Sequence, residues 1–182
     1  MTTADRSFSE AVQQFTKVRQ VRRYRDEAVP DEVISALLNV ARWTGSARNS
    51  QPWHFVVITD RAQLRAIADL RVAIGWVANV PLAIAIVLDG SGRPSETYDE
   101  GRVIERIAVA AHLLGLASGV AWFGDEAQQA EGRRLLAVPE GKVARAVLTI
   151  GYVAEQDASG GPGVPGGRKP LAELVSTNVY GK

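Results

Sequence analysis

The unbroken apolar run Leu82-Ala83-Ile84-Ala85-Ile86-Val87-Leu88 has the length of a β-strand and offers no polar position. A strand of that kind has to be covered on both faces, so the chain must supply helices for each side of a sheet. The rest of the sequence provides them. Phe8, Val12, Phe15 and Val18 recur at helical spacing over residues 8–18, and Pro30-Asp31 opens a second amphipathic segment carrying Val33, Ile34, Leu37, Leu38 and Ala41. Asp60 is placed to cap a helix over 61–70, Asp99 to Leu116 holds the longest helical pattern, and Asp125 starts a further one through Leu136. Strands are expected at 53–59, 82–88, 120–123 and 143–153. Helices alternating with separated strands make one domain over 1–182, with a sheet sandwiched by helices. A chain of 182 residues buries about 70% of its unfolded surface, enough for a core without covalent staples.

Composition removes several chemistries. The chain has no cysteine, which excludes disulfides, thiolate nucleophiles and Cys-based metal sites, and with only His54 and His112 no multi-histidine metal site is expected. A formal net charge of +1 gives no general field for a polyanion, so a local basic patch suits one phosphate better than a duplex, and no nucleic-acid partner is expected. Met1 to Glu10 contains no apolar targeting region. The longest apolar stretch, Val77 to Leu88, is broken by Asn79 and Pro81 and is too short to cross about 30 Å of hydrocarbon as a helix. A cytoplasmic protein with no membrane partner is expected.

Three segments could carry chemistry. The first is Arg19-Gln20-Val21-Arg22-Arg23-Tyr24-Arg25, which concentrates guanidinium groups able to grip a phosphate monoester; by itself it reads better as a solvated basic edge. The second is the loop Gly45-Ser46-Ala47-Arg48-Asn49-Ser50-Gln51, just before a strand, where small residues permit close backbone approach and side-chain amides can read a heterocycle. An ordinary helix-to-strand connection explains that loop equally well. The third is Arg168, delivered by a Gly/Ser/Pro-rich loop, Ala158 to Gly167. His54 and His112 read as structural, and the glycines of 160–167 form no G-x-G-x-x-G ahead of a helix.

Taken in order, these residues resemble the FMN-dependent nitroreductase family along nearly the whole chain. The resemblance rests on the Arg-rich stretch ending in Tyr24, on Asn49-Ser50-Gln51-Pro52-Trp53-His54-Phe55, and on Leu113-Leu114-Gly115-Leu116 through Trp122. Leu135 to Pro139 ahead of Gly151-Tyr152, and Arg168-Lys169-Pro170-Leu171, complete it. It implies an α+β, three-layer α/β/α fold around a mainly antiparallel sheet and a domain-intertwined homodimer with two FMN molecules at the subunit interface. Arg19, Gln20, Arg22 and Arg168 would hold the phosphate and ribityl chain. Gly45, Ser46, Ala47 and Asn49 would come from the partner subunit to the ring, with Trp122, Phe123 and Gly124 on the ring's other side. Hydride from NAD(P)H would pass through FMN to a nitroaromatic, quinone or similar acceptor by a ping-pong mechanism, with no catalytic side chain and no metal.

The chain departs from the family pattern in five places, one of them Val18, at a site that is often basic. Gln20 stands where a serine is usual, Gly45-Ser46-Ala47 where Pro-Ser-Ser is common, no lysine lies in 71–80, and little room is left before Leu82 for a lid. The last two motivate an alternative, a flavin-binding protein without turnover, for storage or sensing.

Overall fold

The computed structural model describes residues 3–155 and 167–181. Its elements are helices α1 (Thr3–Lys17), α2 (Asp31–Arg42), α3 (Arg61–Ala68), α4 (Pro94–Leu113) and α5 (Glu126–Leu135), and strands β1 (Trp53–Ile58), β2 (Leu82–Leu88), β3 (Ala117–Trp122) and β4 (Ala146–Gly151). The strands form one antiparallel sheet in the order β1-β2-β4-β3, so β1 and β3 are its edges. The glycine-rich loop expected at Ala158–Gly167 falls, apart from Gly167, outside the described residues.

The apolar run is β2, and its alternation is one of size. Leu82, Ile84, Ile86 and Leu88 pack with α2 and α4 through Leu37, Val103 and Ile107, while Ala83, Ala85 and Val87 face a second core built from Leu64, Ile67, Val77 and Phe123. Every residue of β2 is buried. The three-layer α/β/α arrangement follows directly. Asp60 caps α3 by accepting from the Gln63 amide at 2.8 Å, and Asp125 with Gln128 forms a reciprocal capping box on α5. Among the described residues no helix is long and apolar enough to cross a membrane.

Several element boundaries differ from expectation, among them α1, which runs Thr3–Lys17 rather than over 8–18. β3 begins at Ala117 rather than at 120, because pairing with β4 extends the strand over small residues of weak β propensity. β4 is confined to Ala146–Gly151, with Val143 and Val153 in isolated bridges to Leu88 and Tyr24. Helix α4 starts at Pro94, earlier than expected, and ends at Leu113. Its first turns are rich in acids, yet Glu96, Asp99 and Glu100 are only 4%, 3% and 6% exposed.

Each of these carboxylates anchors a different segment. Glu96 accepts from the Gly90 and Ser91 amides at 3.1 and 2.8 Å, Asp99 accepts from the Ala47 amide at 3.0 Å, and Glu100 pairs with Arg145 at 2.7 Å. Burial pushes the Glu100 carboxyl above the ordinary glutamate value, against the pull of Arg145. An acid whose folded pKa is raised stabilises the fold most below its unfolded value, about 4.3, and that contribution is lost as pH rises through the folded value. In chemical denaturation between pH 4 and 7, the stability of the wild type relative to Glu100→Gln should therefore fall with rising pH. A constant difference would show that Glu100 titrates normally.

Candidate functional site

The basic segment 19–25 is an extended strip laid against the β3 edge. The Val21 amide donates to the Ser118 carbonyl at 2.9 Å, and the Gln20 side chain forms an amide pair with Val120, donating to its carbonyl and accepting from its N–H at 2.9 Å each. Tyr24 pins the strip from below: its hydroxyl donates to the Val21 carbonyl at 2.9 Å and lies 2.8 Å from Thr149 Oγ1. Burial raises the Tyr24 phenol well above its ordinary range, so it stays a neutral donor. Beyond it the Arg25 amide donates to Tyr152 and the Ala154 amide to Arg23. Val21 is buried while Arg19, Arg22 and Arg23 are exposed. A cavity of about 350 Å³ opens beside Arg19, lined also by Lys17, His112, Gly115 and Ser118.

From Ser118 the β3 edge runs on to Trp122 and Gly124, roughly 20 Å at a strand's rise per residue. Trp122 is 44% exposed and its indole N–H donates to the Gly124 carbonyl at 3.0 Å. The Phe123 side chain is fully buried, its ring seated over Gly132, where a Cβ would come within 2.5 Å, so only its backbone can face an outside ligand.

The loop before β1 is unusual in its backbone. Arg48, Asn49 and Gln51 all take positive φ, at 56°, 54° and 47°. Ser46 closes it, its Oγ accepting from the Gln51 amide at 2.8 Å and its carbonyl from the Asn49 amide at 3.0 Å. This loop sits over the first turns of α4, through Asp99. The cavity beside Arg19 reaches the other end of α4, at Ala108 and His112. The two candidate halves are thus about 20 Å apart along the helix. Between them lies an apolar groove of about 810 Å³ lined by Phe15, Val40, Tyr98, Gly101, Val109 and Leu113. Phe15, Tyr98 and Leu113 are 59%, 75% and 62% exposed.

Comparison with known proteins bears on this arrangement. The profile described as the nitroreductase family matches residues 17–87, a span holding both the basic strip and the 45–51 loop. A protein of Methanothermobacter thermautotrophicus named "Putative NADH dehydrogenase/NAD(P)H nitroreductase" is 34% identical over 143 residues, covering 75% of this chain and 74% of its own. The chain belongs to the nitroreductase family. An Archaeoglobus fulgidus relative of the same name is 32% identical over 145 residues, covering 76% of this chain and 82% of its own. Among solved structures, an FMN-dependent nitroreductase from Clostridium difficile R20291 superposes with a TM-score of 0.74 at 26% identity, over 79% of this chain and 88% of that one. A Parabacteroides distasonis structure reaches 0.82 at 20% identity, over 94% and 99%, and speaks for the fold alone.

Within this oxidoreductase family, one chain brings together Arg19, Gln20 and the β3 edge leading to Trp122 and Gly124. It does not bring Gly45, Ser46, Ala47 and Asn49 to them. Arg168 is exposed, on a C-terminal segment (167–181) that is exposed throughout. Gln20, expected to meet a ligand, uses one N–H and its oxygen on Val120 and stays exposed, with its second N–H turned to neither Val120 atom. His54 is exposed, whereas His112 is half-buried with a ring nitrogen 3.4 Å from Gln14 Oε1 and lines the cavity beside Arg19. Lys17, Gly119 and the Asp99–Arg102 pair were missed. For Gly119 the available signal was a glycine inside a strand, which marks close backbone approach: a Cβ there would overlap the Val21 carbonyl oxygen.

Proposed function

We propose that this chain is a single-domain cytoplasmic flavoenzyme of 182 residues, acting as a homodimer with FMN held between subunits. Bound FMN would supply the redox chemistry, taking two electrons from NAD(P)H and passing them in a second half-reaction to a nitroaromatic, quinone or similar small acceptor. The carrying observation is that the loop and the basic strip lie at opposite ends of α4 with an exposed apolar groove between them. A two-fold axis that packs two α4 helices antiparallel covers the groove in both copies and sets each loop beside the other copy's strip. Leu171, Leu174, Val175, Val179 and Tyr180 of the C-terminal segment, each more than half exposed, suit an arm laid on the partner, with Arg168 at its root.

The donor set fits the cofactor. Arg19, with Lys17 beside the same cavity, offers positive charge and planar donors to a dianionic phosphate. The edge beyond Val120 leaves an extended molecule room to lie toward the exposed Trp122 face. The partner's loop would approach the ring with the Asn49 side chain, while this chain's groups orient and bind without forming a covalent bond.

Removing the Arg19 guanidinium tests the site. Arg19→Ala should weaken FMN binding by about 1.5–3 kcal/mol, more than a tenfold rise in Kd by fluorescence titration. An unchanged Kd would put the phosphate elsewhere. Rapid anaerobic bleaching of the bound flavin by NADH or NADPH is expected, and its absence would favour the storage or sensing alternative.

A further inference from the structure

We infer that Asp99 and Arg102 are a positioning pair that holds the 45–51 loop in the one backbone conformation it can present to a ring. The inference rests on the flavin reading above for what the loop meets, and on the loop's own geometry for the clamp.

The loop does not hold itself. Residues 47–51 are all exposed, so no buried side chain fastens them. Three of them occupy the left-handed region, which for non-glycine residues costs about 1 kcal/mol or more apiece and persists only where the surroundings over-determine it. The hydrogen bonds from the Gln51, Asn49 and Ser50 amides all end on Ser46 or Ala47, so they tie the loop to itself alone.

The tie to the rest of the fold is Asp99. Its Oδ2 accepts from the Ala47 amide at 3.0 Å and its Oδ1 accepts from Arg102 Nη1 at 3.3 Å. Arg102 in turn lies across Gly45, where a Cβ would come within 2.8 Å of Nη2. One carboxylate, 3% exposed, thus fixes the loop at Ala47 while its guanidinium partner closes over Gly45. A step upstream, Arg106 Nη1 donates to the Trp43 carbonyl at 2.8 Å and fixes the entry to the loop. Helix α4 is packed against the sheet through Val103, Ile107 and Ala111, so these side chains transmit its position to the loop. The residue at 45 has to be small for the guanidinium to lie there.

The test uses the full chain with and without FMN. In hydrogen exchange of the protein without FMN, Asp99→Ala should speed the amides of 47–51 by at least about tenfold while leaving those of β2 and β4 unchanged. Asp99→Asn keeps one acceptor oxygen for the Ala47 N–H and should restore most of that protection. If the loop is competent only a fifth of the time, FMN Kd rises roughly fivefold in Asp99→Ala. The midpoint potential of the bound flavin should also move, a readout that general destabilisation would leave alone. Gly45→Ala leaves Asp99 in place, displaces the guanidinium, and should shift exchange and Kd the same way by less.

Unchanged exchange at 47–51 in both Asp99→Ala and Gly45→Ala overturns the clamp. Exchange that rises equally in β2 and β4 also overturns it, since the role is then structural. A wild type that takes up no FMN overturns the flavin reading and the loop's part in it, whatever the exchange shows. A wild type that binds FMN, with Asp99→Ala unchanged in Kd and potential, overturns only the positioning role.

Discussion

Gly119→Ala is expected to lower the melting temperature by about 5–10 °C and to release FMN from the purified protein. A Cβ at this position overlaps the Val21 carbonyl oxygen and stands 3.2 Å from the Tyr24 hydroxyl and 3.3 Å from Thr149 Oγ1. The first obstacle is backbone, so no rotamer change relieves it. Strand β3 and the basic strip have to separate, which strains the Val21-to-Ser118 bond at 2.9 Å and the Tyr24-to-Thr149 bond at 2.8 Å. Overpacking of about 1–3 kcal/mol plus one or two weakened hydrogen bonds gives a loss of roughly 2–4 kcal/mol. The same movement carries Arg19 and Arg22 away from the β3 edge, so FMN affinity falls with stability. Gly75→Ala is the control: a Cβ there meets nothing within 4 Å, and both properties should stay as they are. A Gly119→Ala protein that melts with the wild type and stays yellow would show that the strip is not seated on β3.

What the sequence revealed and what it hid divide along physical lines. β2 was legible because a run without polar residues has only one kind of place in a soluble fold, and its ends were read correctly at 82 and 88. The start of α4 was not, because Glu96, Asp99 and Glu100 look like solvated residues until their partners arrive from 90–91, 47 and 145. Charge type is local, but the reason to bury a charge is tertiary. The basic strip was legible as chemistry through its guanidinium groups, whereas its seat depends on Gly119 and Thr149, which meet it only once β3 and β4 pair. Gln20 shows the converse: an amide reads as a possible ligand donor, and only the fold shows both of its hydrogen-bonding ends used by Val120. The strain at 48–51 was legible at Asn49 alone, since asparagine favours positive φ, whereas arginine and glutamine, at 48 and 51, do not announce it.

Leu113→Arg is expected to convert the protein to a folded, colourless monomer. In a single chain Leu113 is 62% exposed at the last turn of α4, and a cation there is compatible with the helix dipole, so the isolated fold should lose under about 0.5 kcal/mol. The picture changes if a second copy covers the groove of Phe15, Val40, Tyr98, Val109 and Leu113. Two-fold symmetry then buries the new guanidinium twice in a groove that already holds Arg102 and Arg106 against the single carboxylate of Glu105, at a cost of several kcal/mol per site. If the site is shared as proposed, loss of the dimer would separate the loop at Asp99 from the cavity at Arg19, which lie about 20 Å apart within one copy, and neither half would retain FMN. Light scattering after size exclusion, far-UV circular dichroism and the visible spectrum read the three consequences separately. The coupling between them is the discriminating feature, since a site complete within one chain would keep its colour when the dimer dissociates. A monomeric Leu113→Arg protein that remains yellow would therefore disprove the shared site while leaving the fold and the family intact.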